Sequence, residues 1–436
     1  MSIKINSRHI RIAAMSISMI LLCGCALKIP SGSKKNESVS SDEAAVISLI
    51  NSKSEVASQI DELAAAYKAE SGVTVEVQNI SSGVDAQALL KGLYLADELP
   101  DIIVCESSGF DNWDGLLTDM SGEAWVSDTD SAFVDPEYGT LGFPYATEAI
   151  GLSYNADILE KAGVDPASIT GPESFKEALD KIDSQKSALG LTAVVGYGTN
   201  LESLSWSTGN HIFGNYLDSG LDRDDTTYID LFNESKSLDY DRLKHFLDFI
   251  YTIQQHSDPS LLTMGTYEDQ VRNFAAGKYA FITQGSWIGA LLNGDYSEEY
   301  ASAGNFKVGM LPYCFEEGMD TILTSPPSWW AVPKEGNSEA AKAFLQWCSE
   351  DTAQKILVED AGFISPFNSC SYMASDPFAE TVSEYLSSGK TSSWHWMNIE
   401  SGFSTQNISP LFYDFASGAL YSDGFYEKLS ESLENS

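Results

Sequence analysis

The order of strands and helices along this chain constrains its fold more than any other feature. The apolar run AAVISLI at residues 44–50 is typical of a buried strand, and VTVEVQNI at residues 73–80 also reads as a strand. Between them, apolar side chains recur at helical spacing: Val56, Ile60, Leu63 and Tyr67. Gly72 ends that helix, and a second helix over residues 86–95 leads into a third strand, LPDIIVC. This β-α-β-α-β order predicts an α/β fold with mostly parallel sheets flanked by helices.

Capping signals predict where several helices begin and end. Ser52, followed three residues later by Glu55, predicts a capping box at the start of the first helix. Thr266 and Asp269 form the same pattern further along, and Asn155 can cap a third helix. Glycines suited to the left-handed position after a helix follow two of these segments, at Gly163 and Gly277.

The N-terminal segment predicts export. An apolar run at residues 12–22 follows three basic residues, Lys4, Arg8 and Arg11. A membrane-spanning helix needs ~20 apolar residues, so this run is too short and predicts a signal peptide over residues 1–24. The sequence LCGC at its end resembles a bacterial lipobox, in which Cys25 carries the lipid; an ordinary signal peptide with incidental cysteines is the alternative. Residues 25–43 are polar and predict a flexible tether.

The charge of the chain excludes two classes of partner. It has 63 acidic and 25 basic residues, a formal net charge of −38. Such a surface is repelled by nucleic acid and by anionic lipid, so we expect no nucleic acid partner and contact with the membrane only through the lipid anchor. About 390 residues follow the tether, which exceeds one ordinary hydrophobic core and predicts two lobes.

The cysteines and histidines predict no metal site and no cofactor. Four cysteines follow the tether, namely Cys105, Cys314, Cys348 and Cys370, and their spacings match no metal motif. Cys348 and Cys370 are close enough in sequence to suggest a disulfide, and buried free thiols are the alternative. The chain has none of the G-x-S-x-G, H-E-x-x-H or Walker patterns of common enzymes, so no catalytic residue is predicted.

Several segments occur in an order that resembles one protein family. They are SGVTVEV, LPDII, PYATEAIGLSYN with EKAGV, FAAGKYAFITQGSW and WWAVPKEGNSEAAKAFLQW. Together with the lipobox they resemble the extracellular solute-binding proteins (family 1) of carbohydrate ABC importers, related to maltodextrin-binding protein. The resemblance implies the two-lobed periplasmic-binding-protein fold of type II, in which crossing strands hinge two α/β lobes around a ligand cleft. It places lobe 1 at 44–148 plus 331–371 and lobe 2 at 149–330 plus 372–436. The hinges are then expected at residues 147–151, at 329–332 and around Cys370.

The resemblance also nominates polar residues for the ligand. A sugar offers hydroxyls to carboxylates and amides, and C–H faces to aromatic rings. Glu148 matches a crossing-strand glutamate that touches sugar hydroxyls in the family; a solvated hinge carboxylate is the alternative. Tyr145 is placed at the cleft mouth, or else in the core. Gln284 and Ser286 are candidates for further hydroxyl contacts.

Five tryptophans are predicted to supply ring faces. Trp287 stands at the GSW position where the family places a stacking tryptophan, and Trp206 lies where the second lobe often contributes rings. Of the adjacent Trp329 and Trp330, at most one faces the cleft, and we choose Trp329. Trp394 and Trp396 form a platform if SSWHWMN is extended, whereas their rings diverge if it is helical; ordinary loop packing is the alternative.

The loop after the third strand departs from the maltodextrin pattern. It carries ESSG, with Glu106, Ser107 and Ser108 as candidates, in place of the Asp-Arg pair typical of that branch. Maltodextrin itself is therefore in doubt as the ligand. Lys53 and Glu55, just beyond the first strand, are further candidates.

These observations predict a monomeric binding protein without enzymatic activity. It would capture a carbohydrate and present it to the permease subunits of an ABC transporter, on the extracellular face of the membrane or on the periplasmic face if the cell has two membranes. The same fold binding a polyamine or another non-sugar solute is one alternative. A lipid-anchored glycoside hydrolase is another, although no two carboxylates stand at a recognisable catalytic spacing.

Overall fold

The computed structural model describes residues 45–80, 84 and 86–436. The predicted signal peptide 1–24, the tether 25–43 and the lipidation site Cys25 lie outside the described residues.

Short strands and many helices alternate along the described residues. In chain order the strands are Val46–Asn51 (β1), Thr74–Asn79 (β2), Ile103–Cys105 (β3), Phe133–Asp135 (β4), Gly139–Pro144 (β5), Glu148–Ile150 (β6), Leu152–Asn155 (β7), Val195–Gly196 (β8), Phe281–Ile282 (β9), Val308–Leu311 (β10), Ile322–Ser325 (β11), Trp329–Ala331 (β12) and Thr391–Ser392 (β13).

The α-helices include several of only one or two turns. They are Ala57–Ser71 (α1), Ala86–Leu95 (α2), Ala156–Ala162 (α3), Pro172–Asp183 (α4), Lys186–Leu189 (α5), Phe213–Asp218 (α6), Thr227–Asn233 (α7), Tyr240–Gln255 (α8), Tyr267–Ala275 (α9), Ile288–Asn293 (α10), Ser297–Ser302 (α11), Ser338–Cys348 (α12), Asp351–Lys355 (α13), Ala379–Ser387 (α14), Ser409–Ala416 (α15) and Ser422–Glu434 (α16). Three π-helical segments precede or follow them, at Ser207–Ile212, Ile356–Asp360 and Ser404–Ile408.

The sheets mix parallel and antiparallel pairing. β1 pairs in parallel with β2, β8 with β9 and β11 with β13. The sheets β3-β12-β5-β4 and β10-β7-β9-β8 contain mainly antiparallel pairs. The mostly parallel sheets predicted from the sequence are therefore mixed, because strands that return from the other half of the molecule enter a sheet from its opposite end.

Two strands pass between the larger sheets and pair with each other. The chain runs from β5 through β6 to β7, and it returns from β10 through β11 to β12. β6 and β11 are antiparallel, with Ala149 opposite Thr324. The predicted hinge at 147–151 coincides with β6, whereas 329–332 covers β12 inside the first sheet, and the lobe limits given above remain predictions. This crossing places Glu148 between the two halves of the fold.

Local capping signals explain some helix ends and fail at one. The Asn155 side chain accepts a hydrogen bond from the Ile158 N–H at 3.0 Å, and Thr266 and Asp269 form the predicted capping box. The predicted box of Ser52 and Glu55 is wrong, because a 3₁₀ turn at Ser54–Val56 precedes α1 and neither side chain caps a helix. Lys53, between them in sequence, is held instead by a carboxylate from β6.

Aromatic and aliphatic side chains fill the space between helices and sheets. α1 buries Ile60, Leu63 and Tyr67 in the core beneath β1, where each large apolar side chain contributes ~1.5–3 kcal/mol. The described cysteines, Cys105, Cys314, Cys348 and Cys370, are free thiols, so the suggested Cys348–Cys370 disulfide is absent from this part of the chain.

Candidate functional site

An ion pair lies where the first strand and the first crossing strand meet. Lys53 follows β1, and its ammonium contacts the carboxylate of Glu148, the first residue of β6. Only 15% and 12% of these side chains are exposed. Glu55 is also close to the ammonium, with Oε1 3.8 Å from Lys53 Nζ. The pair thus brings one cation and two carboxylates to the junction between the two halves of the fold.

The neighbours of this ion pair set its protonation. Burial of the Lys53 ammonium lowers its pKa, but the charges of Glu148 and Glu55 outweigh burial and raise the pKa overall. Burial raises the pKa of Glu148, and Lys53 offsets part of that rise. Because carboxylate and ammonium are in direct contact, we take the pair as ionic at neutral pH. Its charges remain available to orient the polar groups of a ligand.

Five rings form a cluster that we call the aromatic box: Trp206, His211, Trp287, Trp394 and Trp396. His211 occupies its centre, since its ring centroid lies 4.6–5.6 Å from the other four. Trp394 and Trp396 lie 5.7 Å apart, and Trp206 lies 6.0 Å from Trp287. The Tyr267 ring extends the box beyond Trp206 at 5.4 Å. Such a surface suits the C–H faces of a ring-shaped ligand.

The backbone explains why these rings converge. His211 lies on the π-helical segment Ser207–Ile212, five residues after Trp206, and π-helical insertions are frequent at functional sites. The Trp287 Nε1–H donates to Gln284 Oε1 at 3.2 Å. Gln284 Nε2 in turn donates to Gln270 at 2.8 Å and to Ser207 at 3.2 Å. This chain of amides fixes Trp287 against the segment that carries His211.

Three buried polar atoms of the box have no hydrogen-bond partner among the described residues. They are Trp394 Nε1, Trp396 Nε1 and His211 Nδ1. Burying such groups unpaired costs free energy, so native proteins usually give them a partner. Burial, reinforced by the charge of Lys53, lowers the pKa of His211 to about 3 and keeps its ring neutral. The box therefore combines apolar ring faces with buried hydrogen-bonding atoms that no described residue satisfies.

Electrostatics connect the box to the ion pair. Lys53 affects the pKa of His211, and burial together with the charges of Glu55 and Glu148 raises the pKa of Tyr267. The helix α10, which follows Trp287, also contacts the 3₁₀ turn Ser54–Val56. Rings from one half of the fold thus face charges from the other. We call the box together with Lys53, Glu55 and Glu148 the candidate site.

The structure brings together seven of the residues nominated from sequence. They are Lys53, Glu55, Glu148, Trp206, Trp287, Trp394 and Trp396. The Trp394 and Trp396 rings are neighbours although their segment forms a 3₁₀ helix, His395–Asn398, rather than an extended strand. The prediction that these two rings diverge if their segment is helical was therefore wrong, because the turn after Trp394 keeps both rings on one side.

Four other nominated residues have internal partners instead. The Tyr145 ring stacks on Trp330 at 4.7 Å and its hydroxyl bonds Ser328 at 2.6 Å, while burial raises its pKa to about 12. Trp329 packs against Phe110 and Phe133, and its Nε1–H donates to the Ser131 carbonyl. The side chains of Gln284 and Ser286 form hydrogen bonds within the protein, with Trp287, Gln270, Ser207 and Ala149. These residues shape or support the site rather than line it.

The loop after β3 reaches the far side of the site. It forms the 3₁₀ helix Ser107–Trp113, and the Ser107 hydroxyl donates to Asn398 Oδ1 at 3.0 Å. Asn398 ends the segment that carries Trp394 and Trp396. Glu106 is exposed and Ser108 half-buried. The loop therefore contributes a contact between the halves through Ser107, one of its three candidate residues.

Sequence reasoning missed His211 and Tyr267. The five-residue separation of Trp206 and His211 follows a π-helical turn and matches neither the 3.6-residue period of a helix nor the two-residue period of a strand. No local signal in the sequence marks that turn. Tyr267 is the first residue of α9 and reads simply as a helix start.

Two surface depressions lie away from this site. One is lined by residues of 124–128, 346–354 and 369–372, and the other by residues of 400–411 and 428–436. Neither contains a residue of the box or of the ion pair. We place the candidate site at the box, because five rings, three buried unpartnered nitrogens and the Lys53–Glu148 ion pair lie together there. No three His, Cys, Asp or Glu side chains in the described ranges come together as a metal site requires.

Comparison with known proteins identifies the family. A family model described as bacterial extracellular solute-binding protein matches residues 62–384. The chain belongs to this family. No curated protein matches the solute-binding protein in sequence at a significant level. In the described part of the chain, no helix is both long enough and apolar enough to cross a membrane.

Solved structures share the fold of this solute-binding protein. Ligand-free RafE from Streptococcus pneumoniae is 15% identical, with a TM-score of 0.68 over 92% of this chain and 99% of that chain. A sugar transporter of Bacillus licheniformis in complex with stachyose is 16% identical, with a TM-score of 0.66 over 89% and 98%. A chitin oligosaccharide binding protein is 16% identical, with a TM-score of 0.69 over 90% and 98%. The two-lobed α/β fold of the periplasmic binding proteins is thereby confirmed.

Proposed function

We propose that this solute-binding protein captures a sugar or oligosaccharide at the candidate site and delivers it to an ABC importer. One observation carries the proposal: the aromatic box, with its buried unpartnered nitrogens, lies beside the Lys53–Glu148 ion pair at the junction of the two halves. Sugars offer the complementary surfaces, C–H faces for the rings and hydroxyls for the charges and nitrogens. Solved relatives of the same fold are described as complexes with raffinose and with stachyose.

The geometry assigns a part to each group. Ring faces of Trp206 and Trp287 would cover the sugar, each contributing ~1 kcal/mol by analogy with aromatic pairs. The indole N–H groups of Trp394 and Trp396 would donate to hydroxyl or ring oxygens. Glu148 accepts hydroxyl hydrogens in bonds that contribute ~1.5–3 kcal/mol each. The neutral His211 suits an uncharged ligand, because it brings no charge that burial would have to compensate.

The position of the site between the two halves supports the proposed delivery of the sugar to an importer. A ligand that contacts both halves binds their closed arrangement more tightly and shifts the population toward it. The membrane permease of an ABC importer would then recognise the closed, monomeric protein. A lipid on Cys25 would hold the protein near that partner at the outer face of the membrane.

The first experiment screens sugars against the purified protein. A thermal-shift panel of raffinose, stachyose, maltodextrins and chitin oligosaccharides should reveal at least one ligand that raises the melting temperature, because binding stabilises the native state. Calorimetry then measures the affinity of that sugar.

A matched pair of variants tests the location of the site. Trp287→Phe removes part of the ring face and the indole N–H, so we expect at least tenfold weaker binding. Trp347→Phe is the control, since the Trp347 Nε1–H also donates within the protein, to Glu70 at 2.9 Å, but lies in another cluster. Equal affinities for the two variants would place the sugar elsewhere.

A cationic solute is the second candidate, because carboxylates beside aromatic rings also attract cations. The Lys53 ammonium already occupies that position between Glu55 and Glu148, and an added cation would have to displace it. This occupancy favours an uncharged ligand. Calorimetry with spermidine in parallel with the sugars distinguishes the two, since only a cation site would release heat with spermidine.

A glycoside hydrolase would need two carboxyl groups in different protonation states. Asp376 has one relevant property, because burial raises its pKa to about 7 and the charge of Glu148 adds to the rise. However, its carboxylate accepts from the Phe378 N–H at 2.7 Å and lies against the backbone of Gly289. Glu148 is held by Lys53. Both contacts favour binding without hydrolysis, and chromatography of incubated sugars for cleavage products tests this.

A further inference from the structure

The short segment Trp394–Asn398 connects three parts of the molecule. Trp394 and Trp396 turn their rings toward His211 in the box. His395, between them, turns toward Asp218 at the end of α6. Asn398 accepts a hydrogen bond from Ser107 on the opposite half of the fold. One turn of backbone thus carries two walls of the candidate site and a contact across it.

Asp218 holds the middle of this segment with both carboxylate oxygens. Its Oδ1 lies 2.6 Å from His395 Nδ1, and its Oδ2 accepts the His395 backbone N–H at 3.0 Å. The carboxylate is 2% exposed and the imidazole 12%. A two-point contact of this kind fixes both the backbone and the ring of His395. It therefore restricts how the flanking tryptophans can turn.

A second contact on the same face of α6 supports this segment. Gly214 lies four residues before Asp218 on α6, so the two positions face the same side. A β-carbon at Gly214 would lie 2.7 Å from Trp396 Cδ1, so the indole rests directly on the helix backbone. α6 thus offers a carboxylate for His395 and a flat surface for Trp396.

We propose that Asp218 and His395 are positioning residues that hold Trp394 and Trp396 in the orientation required to bind sugar. This inference rests on the proposed function. Neither residue needs to touch the ligand. Loss of the pair would let both rings move, and the Asn398 contact with Ser107 would loosen with them.

The charge of the pair makes the positioning depend on pH. His395 is surrounded by charged groups from α6, α7, α8 and the loop after α6, namely Asp218, Asp230, Arg242, Arg223 and Asp225. His211, on the adjoining π-helical segment, is neutral. Burial lowers the pKa of His395, but Asp218 outweighs burial and raises it above its ordinary value of 6.5. The ionic pair is complete below that ordinary value and is lost as pH rises through the raised pKa.

Three variants test the proposal. Asp218→Asn removes the charge that His395 pairs with. His395→Asn keeps a donor near the place of Nδ1 but cannot titrate, and it serves as the second variant if Asp218→Asn fails to fold. Asp180→Asn is the control, because Asp180 on α4 also pairs with a histidine, His256 after α8, at 3.0 Å, but it is exposed and neither residue belongs to the box.

The first readout needs no ligand. Near-ultraviolet circular dichroism of the purified protein between about pH 5 and 9 reports on the packing of tryptophans, and the wild type should show a transition above pH ~6.5. Asp218→Asn and His395→Asn should lack this transition, and Asp180→Asn should keep it. A transition that survives unchanged in both site variants overturns the proposal.

The second readout is calorimetric affinity for the best of raffinose, stachyose and chitin oligosaccharide. Asp218→Asn should bind about tenfold more weakly at pH ~6, the loss expected for one charge-assisted hydrogen bond, whereas His395→Asn should remain within about threefold of wild type. Wild-type affinity should fall as pH rises, and that of His395→Asn should not. Unchanged affinity and pH dependence in both variants overturn the positioning role. A wild type that binds no sugar yet shows the optical transition refutes the proposed function and leaves the positioning role supported.

Discussion

At the scale of single residues, the ammonium of Lys53 acts on both the carboxylates and the histidine of the candidate site. It lies between Glu148 and Glu55, and it also lowers the pKa of His211 across the junction. A buried pair of this kind contributes little net stability compared with apolar side chains, but removal of one partner is costly because the other charge stays buried. The pair therefore serves orientation more than stability.

Lys53→Met should lower the free energy of unfolding by about 3 kcal/mol, since Glu148 would be left without its cation. Urea denaturation measures the change. Adding Glu148→Gln to the variant should recover part of the loss, because no unpaired charge then remains. Lys176→Met is the matched control, as its pair with Asp180 is exposed and its removal should leave the urea midpoint unchanged. A Lys53→Met protein as stable as wild type would show that the Lys53–Glu148 ion pair is not buried as described.

At the scale of elements, capping signals predicted helix starts correctly where the hydrogen bond joins residues close in sequence. Asn155 caps α3 and Thr266 with Asp269 caps α9, because each needs only a backbone N–H within three residues. The same pattern at Ser52 and Glu55 failed, since the ion pair of Lys53 with Glu148, 95 residues away, fixes that turn differently.

The candidate site was predictable to the extent that its residues belong to short segments with a recognisable sequence. Trp287 and Glu148 were found because short segments resemble those of a family, and both lie at the site. Trp329 was misplaced because alternation along a strand shows that two neighbours face opposite sides but not that both sides are core. His211 was missed because the π-helical turn depends on packing against distant rings rather than on its own sequence.

The helices α6 and α2 predict opposite effects for two glycine substitutions. Gly214→Ala would press a methyl group against Trp396 and should weaken both folding and sugar binding. Gly92→Ala in α2 meets no atom within 4 Å and should stabilise the protein by about 1 kcal/mol through helix propensity. Thermal unfolding and calorimetry on the two variants measure these effects. A Gly214→Ala protein with wild-type affinity would show that the ring is free to shift.

At the scale of the whole molecule, the net charge bears on how an exported protein stays at the membrane. A chain with a formal net charge of −38 has no electrostatic attraction to an anionic membrane. Retention at the cell surface would then depend on the lipid at Cys25, which the sequence predicts and the described residues do not include.

Two cysteine variants test that dependence. Cys25→Ala should release the protein into the medium or periplasm, because no acyl chain remains to insert into the bilayer. Cys23→Ala is the control, since Cys23 follows Leu22 rather than a small residue and should not carry the lipid. Immunoblots of membrane and soluble fractions report the distribution. Release by both variants, or by neither, would contradict the predicted lipobox.

The contact between Ser107 and Asn398 has a kinetic consequence. It joins the rim of one half to the segment that bears two walls of the buried box on the other. If the proposed sugar is enclosed there, it would leave after the two halves separate, and its residence time would be set by the opening of the protein rather than by the strength of any one contact. A transporter that pulls the halves apart would therefore accelerate unloading without competing for the sugar.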